Sequence, residues 1–258
     1  MDLVPNVKVC AKTDTGFKRE INEDSYLILD DKTEFINIKH YGRMYALADG
    51  MGGHVGGEVA SKMACQGMAD YYSEIKNDQD DSDYFKDRLR HLKSTLHKVH
   101  NKIIEYGQTN REYDDMGTTL SVMVLIKNRA LIAHVGDSRI YRLRRDLLEQ
   151  LTEDHTFAQV FLQKVYITPE TASKHSIRHV MTQAVGHGIE DMFLKMQMVE
   201  KGDIFLLCSD GLHDLISDVE IKDVLSNDYP LKDKCSRLVA NALEMGGKDN
   251  VTVIVIQV

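Results

Sequence analysis

Residues 119–143 read TLSVMVLIKNRALIAHVGDSRIYRL, which is three apolar or β-branched runs separated by short polar turns. Runs of this kind predict buried strands, and KNR (127–129) predicts a tight hairpin between the first two. Similar runs occupy residues 44–48, 203–208 and 251–258. The succession predicts an antiparallel meander with helices packed against it, and therefore an α+β layered domain.

Two amphipathic helices are predicted on either side of the polar segment NDQDDSD (77–83). Apolar residues recur at helical spacing from Ala60 to Tyr71, and again from Phe85 to Ile103. We expect these helices to pack together as an antiparallel pair. A third helix is predicted over residues 231–245, because two glycines that suit a helix C-cap follow it.

Composition and charge limit the classes of function. A chain of 258 residues can bury a large core, and its net charge of −8 argues against binding to nucleic acid or anionic membranes. The four cysteines are scattered, as expected of reduced thiols, and neither a signal-peptide pattern nor a membrane-length apolar run is present. We therefore expect a cytoplasmic protein with no nucleic-acid or membrane partner, and nothing in the sequence demands more than a monomer.

Acidic residues stand where several apolar runs end. Asp49, Asp137 and Asp210 each adjoin a glycine after such a run, Asp249 precedes the last run, and Glu23-Asp24 precedes another. Two carboxylates ~4 Å apart repel by roughly 4 kcal/mol at an effective dielectric near 20, so a cluster would need cations. Oxygen ligands select hard ions such as Mg²⁺ or Mn²⁺. Each pair taken alone is more simply a turn or a helix cap, but turns do not readily explain the whole set at the ends of buried runs.

Seven motifs occur in the order found in bacterial type 2C (PPM) protein serine/threonine phosphatases, and the resemblance covers roughly residues 8 to 258. They are REINEDS (19–25), ALADGMGGHVGGEVAS (46–61), MGTTLSVMVL (116–125), AHVGDSRIYRL (133–143), LTEDHT (151–156), LLCSDGLHDLI (206–216) and GGKDNVTVIVI (246–256). The resemblance implies a single domain over 1–258. Its fold would be a four-layer α-β-β-α sandwich, with two antiparallel β-sheets flanked by helices. A flap at about 155–187 would border the active site.

The resemblance also implies two tightly bound Mn²⁺ or Mg²⁺ ions. In proteins of this type, the residue that matches Asp49 bridges both ions, and the position of Gly50 offers its carbonyl oxygen to one of them. Residues that match Asp210 and Asp249 hold the other ion.

Three further acidic residues match ligand positions of the family. Glu23 and Asp24 match positions that bind the first ion directly or through water, and Asp24 is the stronger candidate. Asp137, together with Asp210, would hold a third and weaker ion.

The chemistry implied is attack of a metal-bridging hydroxide on phosphorus, without a phosphoenzyme. Arg19 matches the arginine that grips the phosphoryl group, and a surface ion pair with Glu20 or Glu23 is its alternative role. His54 is a candidate for protonating the leaving oxygen, although it could instead only organise the glycine-rich turn.

The flap departs from the family pattern at one position. Relatives usually have arginine where Gln183 stands. Arg178 and Lys174 could supply a replacement charge for a phosphopeptide, or could form a solvated helix face.

The activity implied is hydrolysis of phosphoserine and phosphothreonine on proteins, in opposition to a cognate serine/threonine kinase. One alternative is a specialised phosphatase of a partner-switching pathway that acts on an anti-sigma antagonist, although such proteins usually carry appended domains. The other is a pseudo-phosphatase that binds phosphoproteins without turnover, which the presence of Asp49, Asp210 and Asp249 disfavours.

Overall fold

The computed structural model describes residues 7–34, 36–51, 56–73, 83–168, 171 and 176–258. In chain order the strands are β1 (Lys8–Asp14), β2 (Asp24–Leu29), β3 (Arg43–Met51), β4 (Gly117–Thr118), β5 (Leu120–Ile126), β6 (Arg129–Val135), β7 (Arg139–Arg144), β8 (Leu147–Gln150), β9 (Phe193–Met198), β10 (Ile204–Cys208) and β11 (Val251–Gln257). They form two antiparallel sheets. One sheet has the order β1-β11-β10-β7-β8, and the other has the order β2-β3-β5-β6-β9 with β4 added to β3.

The helices of the described residues are α1 (Ile38–Tyr41), α2 (Gly57–Gly67), α3 (Tyr84–Thr109), α4 (Phe157–Gln163), α5 (Asp210–His213), α6 (Asp218–Ser226) and α7 (Leu231–Glu244). Most of them lie on the outer faces of the sheets, whereas α4 packs against the 3-10 helix Ser176–His179. One buried cluster joins α2 and α3 to the sheet that contains β3, and a second joins α5, α6 and α7 to the sheet that contains β11. A third cluster lies between the two sheets. The molecule is therefore the predicted four-layer sandwich.

Side-chain alternation explains why the sequences of the central strands β3, β5, β10 and β11 are largely apolar. In β3, Met44 and Ala46 face the α2/α3 layer, whereas Tyr45 and Leu47 face the opposite sheet. Successive residues of a strand point to opposite faces, so a strand covered on both sides has no polar face. The unbroken runs in the sequence reflect this double burial.

The predicted meander is wrong in one respect. β5 and β6 form the expected hairpin, with Ile126 opposite Arg129, but β7 belongs to the other sheet. The chain crosses between the sheets at residues 136–138, where Gly136 has φ +108 and a Cβ would lie 2.6 Å from the Thr119 side chain. Since both sheets are covered on both faces, the apolar pattern alone does not show which sheet a strand joins.

The helix predictions are confirmed, except that the last turn of the first helix is a 3-10 helix (Met68–Tyr72). Gly67 lies against Val99, and the Tyr71 ring lies 5.0 Å from His91, so the chain from α2 onward runs antiparallel to α3. The third predicted helix is α7. Most of the polar segment 77–83 lies outside the described residues.

Two smaller observations bear on the sequence analysis. All four cysteines are free thiols, and three of them are buried (Cys65, Cys208 and Cys235). Across the described part of the chain, no helix is both long and apolar enough to cross a bilayer.

Candidate active site

The acidic ends of the apolar runs converge at one end of the sandwich. Asp49 lies near the end of β3, Asp210 begins α5 directly after β10, and Asp249 precedes β11, while Asp137 lies at the crossover from β6 to β7. Together they border a cleft of about 440 Å³. Its lining residues are Arg19, Glu23, Asp49, Gly50, Met51, Thr119, Asp137, His179, Met181, Asp210 and Asp249.

The electrostatics of this cleft are dominated by crowded carboxylates. Burial raises the pKa of Asp24 to about 6 and the pKa of Asp137 to about 7. The pKa values of Asp49 and Asp210 are raised well above the usual range, first by burial and then by repulsion from neighbouring carboxylates. Such a set of oxygens is strongly disposed to bind a cation.

Glu23 lines the surface of the cleft, whereas Asp24 is buried beneath it. Glu23 lines the cleft beside the N-terminus of α2, where a Cβ at Gly57 would lie 2.4 Å from its Oε1 atom. Asp24 pairs with Asp49 across β2 and β3 and is buried beneath the cleft. Its Oδ2 atom accepts a hydrogen bond of 2.8 Å from the Ser209 hydroxyl, whereas its Oδ1 atom has no partner among the described residues.

Gly50 is required because the backbone is crowded at the cleft. A Cβ there would lie 2.2 Å from the Gly57 carbonyl oxygen and 2.7 Å from that of Glu23. No other residue fits between these two carbonyls. The glycine therefore allows β3, α2 and the Glu23 segment to meet beside Asp49.

Arg19 is held by two carboxylates of the cleft. Its Nη2 atom donates to Asp249 Oδ2 at 2.8 Å, and its Nη1 atom lies 3.8 Å from Glu23 Oε2. These ion pairs raise the pKa of the guanidinium, chiefly through the hydrogen bond to Asp249. The alternative pairing with Glu23 is therefore present, but it points Arg19 toward the cleft rather than away from it.

Asn250 is an organising residue that the sequence motifs did not single out. Its Oδ1 atom accepts from the Glu23 backbone N–H at 2.8 Å, and its Nδ2 atom donates to the carbonyls of Thr15 and Ile21 at 2.9 and 3.0 Å. The side chain is buried. It therefore fixes the Arg19 loop against the strand that follows Asp249.

Two hydroxyls position the other acidic residues. The Thr119 hydroxyl accepts a hydrogen bond from the Asp49 backbone N–H at 2.9 Å and contacts the Ser138 hydroxyl at 2.7 Å. Ser209, which lies beside Asp210, accepts from the Thr252 N–H at 2.9 Å while it donates to Asp24. Ser209 therefore links Asp24 to the backbone of Thr252 and supports the site from beneath.

The segment predicted as a flap contributes one wall of the cleft. His179, at the end of the 3-10 helix Ser176–His179, and Met181 both line it. The Arg178 Nη1 atom lies 3.2 Å from Asp214 Oδ1, and the His179 Nδ1 atom lies 3.3 Å from Asp214 Oδ2. Arg178 is therefore bound to the body of the protein and does not belong to a freely solvated face.

Gln183 has a structural role in this chain. Its side-chain oxygen accepts from the backbone N–H groups of Glu190 and Asp191, and its amide donates to the Asp191 carbonyl at 3.1 Å. These bonds close the turn that returns the flap to β9. They also explain how glutamine is accommodated where relatives usually have arginine, because its side-chain amide bonds only to backbone groups of the turn.

A second set of potential ligands adjoins the cleft. The ligand atoms of His179, Asp210 and Asp214 lie within 4.8 Å of one another. A neighbouring cavity of about 310 Å³ shares Asp137 with the main cleft. His54 and Lys174 lie outside the described residues.

The comparisons with known proteins agree with this geometry. A family model described as protein phosphatase 2C matches residues 22–252. The protein phosphatase PhpP of Streptococcus pneumoniae is 37% identical over 256 residues, which is 97% of each chain. The crystal structure of the Mycobacterium tuberculosis serine/threonine phosphatase PstP/Ppp covers 98% of both chains at 35% identity, with a TM-score of 0.83. The catalytic domain of PstP in complex with two manganese ions covers 97% of both chains at 34% identity, with a TM-score of 0.80.

Proposed function

Because this chain belongs to the protein phosphatase 2C family, we propose that its acidic cleft binds two divalent ions and hydrolyses phosphoserine and phosphothreonine on proteins. The observation that carries the proposal is the convergence of Asp49, Asp210 and Asp249 on one cleft that Arg19 also lines. A pseudo-phosphatase would be expected to have lost one of these groups. The catalytic domain is proposed to extend over the whole of 1–258.

The donor set fits hard divalent cations. Apart from His179, every ionisable side chain that lines the cleft is a carboxylate or the Arg19 guanidinium, and the thioethers of Met51 and Met181 are poor ligands for hard ions. Beneath them, the unpartnered Oδ1 atom of Asp24 is a buried acceptor that a cation could satisfy. Oxygen-only ligation selects Mg²⁺ or Mn²⁺ over softer metals.

We assign the two tight ions to Asp49, the Gly50 carbonyl, Asp210 and Asp249. Glu23 and Asp24 would support the first ion. When bound, such ions supply an acidified water and offset the negative charge of the phosphoryl group. A third and weaker ion is proposed at Asp137 and Asp210.

The protein's own groups would orient the substrate. The planar guanidinium of Arg19 suits bidentate binding of phosphoryl oxygens. Asn250 holds the Arg19 loop, and Thr119 holds the backbone of Asp49, so the binding groups are positioned before the substrate arrives. His54 is proposed to protonate the leaving serine or threonine oxygen.

The proposal extends to partners and location. Phosphorylated proteins are the substrates, and a cognate serine/threonine kinase would produce them. The enzyme is proposed to be monomeric and cytoplasmic, and its net charge of −8 argues against affinity for nucleic acid or anionic membranes.

The test is hydrolysis of p-nitrophenyl phosphate and a phosphothreonine peptide, with Mn²⁺ and with EDTA. We expect turnover only with metal. Asp49→Asn and Asp249→Asn should each reduce turnover by at least ~10³-fold, because each removes charge that holds the ions. Asp146→Asn is the matched control, since Asp146 pairs with Lys222 far from the cleft. Near-normal turnover of either cleft variant at saturating Mn²⁺ would contradict the assignment.

The third ion has its own test in Asp137→Ala. If Asp137 holds an ion, peptide turnover should fall by more than ~10-fold, and calorimetry should count one ion fewer with the two tight ions retained. If Asp137 only closes its turn, stability should fall by ~1 kcal/mol with turnover nearly intact.

A further inference from the structure

Two large apolar side chains flank Arg19 on the loop that joins β1 to β2. Phe17 is 68% exposed and Ile21 is 58% exposed. Single exposed apolar residues are ordinary on protein surfaces. Here, however, two of them stand on either side of the residue that faces the phosphoryl site.

The loop that carries these side chains is firmly anchored. The Phe17 backbone N–H donates to the Gly247 carbonyl at 2.7 Å, and Asn250 donates to the carbonyls of Thr15 and Ile21. The Phe17 ring packs over Gly247, where a Cβ would lie 2.9 Å from the ring. An apolar group that is already ordered loses little conformational freedom on binding, which favours a recognition role.

The position of the cleft determines which part of a bound substrate lies near Phe17 and Ile21. A phosphorylated side chain that reaches the carboxylates passes Arg19, which lines the cleft, while His179 and Met181 line it from the flap side. Phe17 and Ile21 lie two residues before and two residues after Arg19 on the same anchored loop. On the Arg19 side of the cleft, these two exposed apolar side chains are therefore available to the residues that adjoin the phosphorylated one.

We propose that Phe17 and Ile21 are specificity-determining residues that favour phosphorylated segments with a large apolar residue adjacent to the phosphoserine or phosphothreonine. The inference rests on the proposed role of Arg19 at the phosphoryl group. Apolar contact would bury surface that both partners otherwise expose to water.

The experiment compares two phosphothreonine peptides of equal length and charge with saturating Mn²⁺. One carries leucine on both sides of the phosphothreonine, and the other carries serine. We expect the wild-type kcat/KM to be at least about fivefold higher for the leucine peptide, within the range that small apolar groups discriminate. In the double variant Phe17→Ser/Ile21→Ser this ratio should fall toward one.

Two further variants keep the result interpretable. Leu147→Ser is the matched control, because Leu147 is 69% exposed on β8 and lies outside the cleft lining; it should retain the wild-type ratio. Ile21→Ser alone leaves the Phe17–Gly247 contact in place, and it should lower the ratio partly even if the double variant folds poorly.

The outcomes separate this inference from the proposed function. A wild-type ratio near one, or an unchanged ratio in both Ile21→Ser and the double variant, overturns the inference. If the wild-type protein hydrolyses neither peptide nor p-nitrophenyl phosphate with Mn²⁺, the proposed function itself is contradicted.

Discussion

Arg19 donates a hydrogen bond of 2.8 Å to Asp249, across a separation of 230 residues in the sequence. The group proposed to bind phosphate is thus attached to a carboxylate proposed to bind metal. This ion pair holds the guanidinium at the edge of the cleft before substrate arrives. Phosphoryl oxygens must then share or displace Asp249 as the partner of Arg19.

Replacing Arg19 should therefore weaken substrate binding. We expect Arg19→Gln to lower kcat/KM on a phosphothreonine peptide by ~10²-fold, mainly through KM, and to weaken inhibition by inorganic phosphate. Arg19→Lys should recover only part of the loss, because an ammonium lacks the planar fork. Arg145→Gln is the control, since Arg145 is 83% exposed and pairs with Glu200. Unchanged phosphate inhibition in Arg19→Gln would remove Arg19 from the phosphoryl site.

Metal binding should stabilise the protein. The carboxylates of the cleft repel one another, so Mn²⁺ bound to the folded form should raise the melting temperature by about 5 °C at a hundredfold excess over Kd. Calorimetric scans with Mn²⁺ and with EDTA measure the shift. Asp49→Asn should lose most of it, while Asp146→Asn should keep it. A melting temperature that does not respond to millimolar Mn²⁺ would count against a preformed site.

Asp214 should control the attachment of the flap. Two flap side chains, Arg178 and His179, contact its carboxylate one helical turn after Asp210. Asp214→Asn removes a half-buried charge worth about 1 kcal/mol, so the Phe157 and Val180 amides should exchange hydrogen roughly fivefold faster.

Two variants check this prediction. Asp223→Asn, at an exposed position of α6, should leave the exchange rates unchanged. The charge reversal Asp214→Arg/Arg178→Asp should restore part of the protection. Equal exchange rates in wild-type protein and Asp214→Asn would mean that the contacts do not hold the flap.

His134 should make the protein sensitive to acid. It is buried with Nδ1 bonded to Ser121 and Nε2 bonded to the Glu153 carbonyl, and burial lowers its pKa from 6.5 to about 3. In the unfolded chain the His134 imidazole becomes protonated near pH 6.5, whereas in the folded protein it becomes protonated only near pH 3. The stabilisation is therefore complete above pH 6.5 and is lost as the pH falls below it.

Urea titrations in EDTA between pH 7.5 and pH 5 test this effect. The wild-type free energy of unfolding should fall more steeply than that of His134→Gln, by up to ~1.4 kcal/mol per pH unit below pH 6.5. Other titrating groups are common to both proteins and cancel in the difference. Parallel curves would show that His134 does not contribute.

The layered fold could be predicted because its strands and helices have distinct apolar patterns. The helical spacing from Phe85 to Ile103 marks α3, and the unbroken run in β11 marks a strand buried on both faces. The sheet to which β7 belongs could not be predicted. A strand that is buried on both faces has the same apolar pattern in either sheet. The polar and partly exposed β9 gave no clear strand pattern either.

The acidic residues of the cleft were predictable because each ends an apolar run beside a turn residue. The residues that position them were not. Asn250 and Asp214 act through contacts with segments distant in sequence, and nothing near them in the sequence identifies those partners. The need for glycine at position 50 could also be seen only in the structure, because the carbonyl groups that would clash with a Cβ there belong to Gly57 and Glu23.

The place of β11 in its sheet has a consequence for folding. This strand begins two residues after Asp249, and it lies between β1 and β10 and joins them. Until β11 pairs with both neighbours, the Arg19 loop that follows β1 has no fixed position relative to Asp210, which follows β10. We therefore expect the two sides of the cleft to come into register only when β11 joins its sheet during folding.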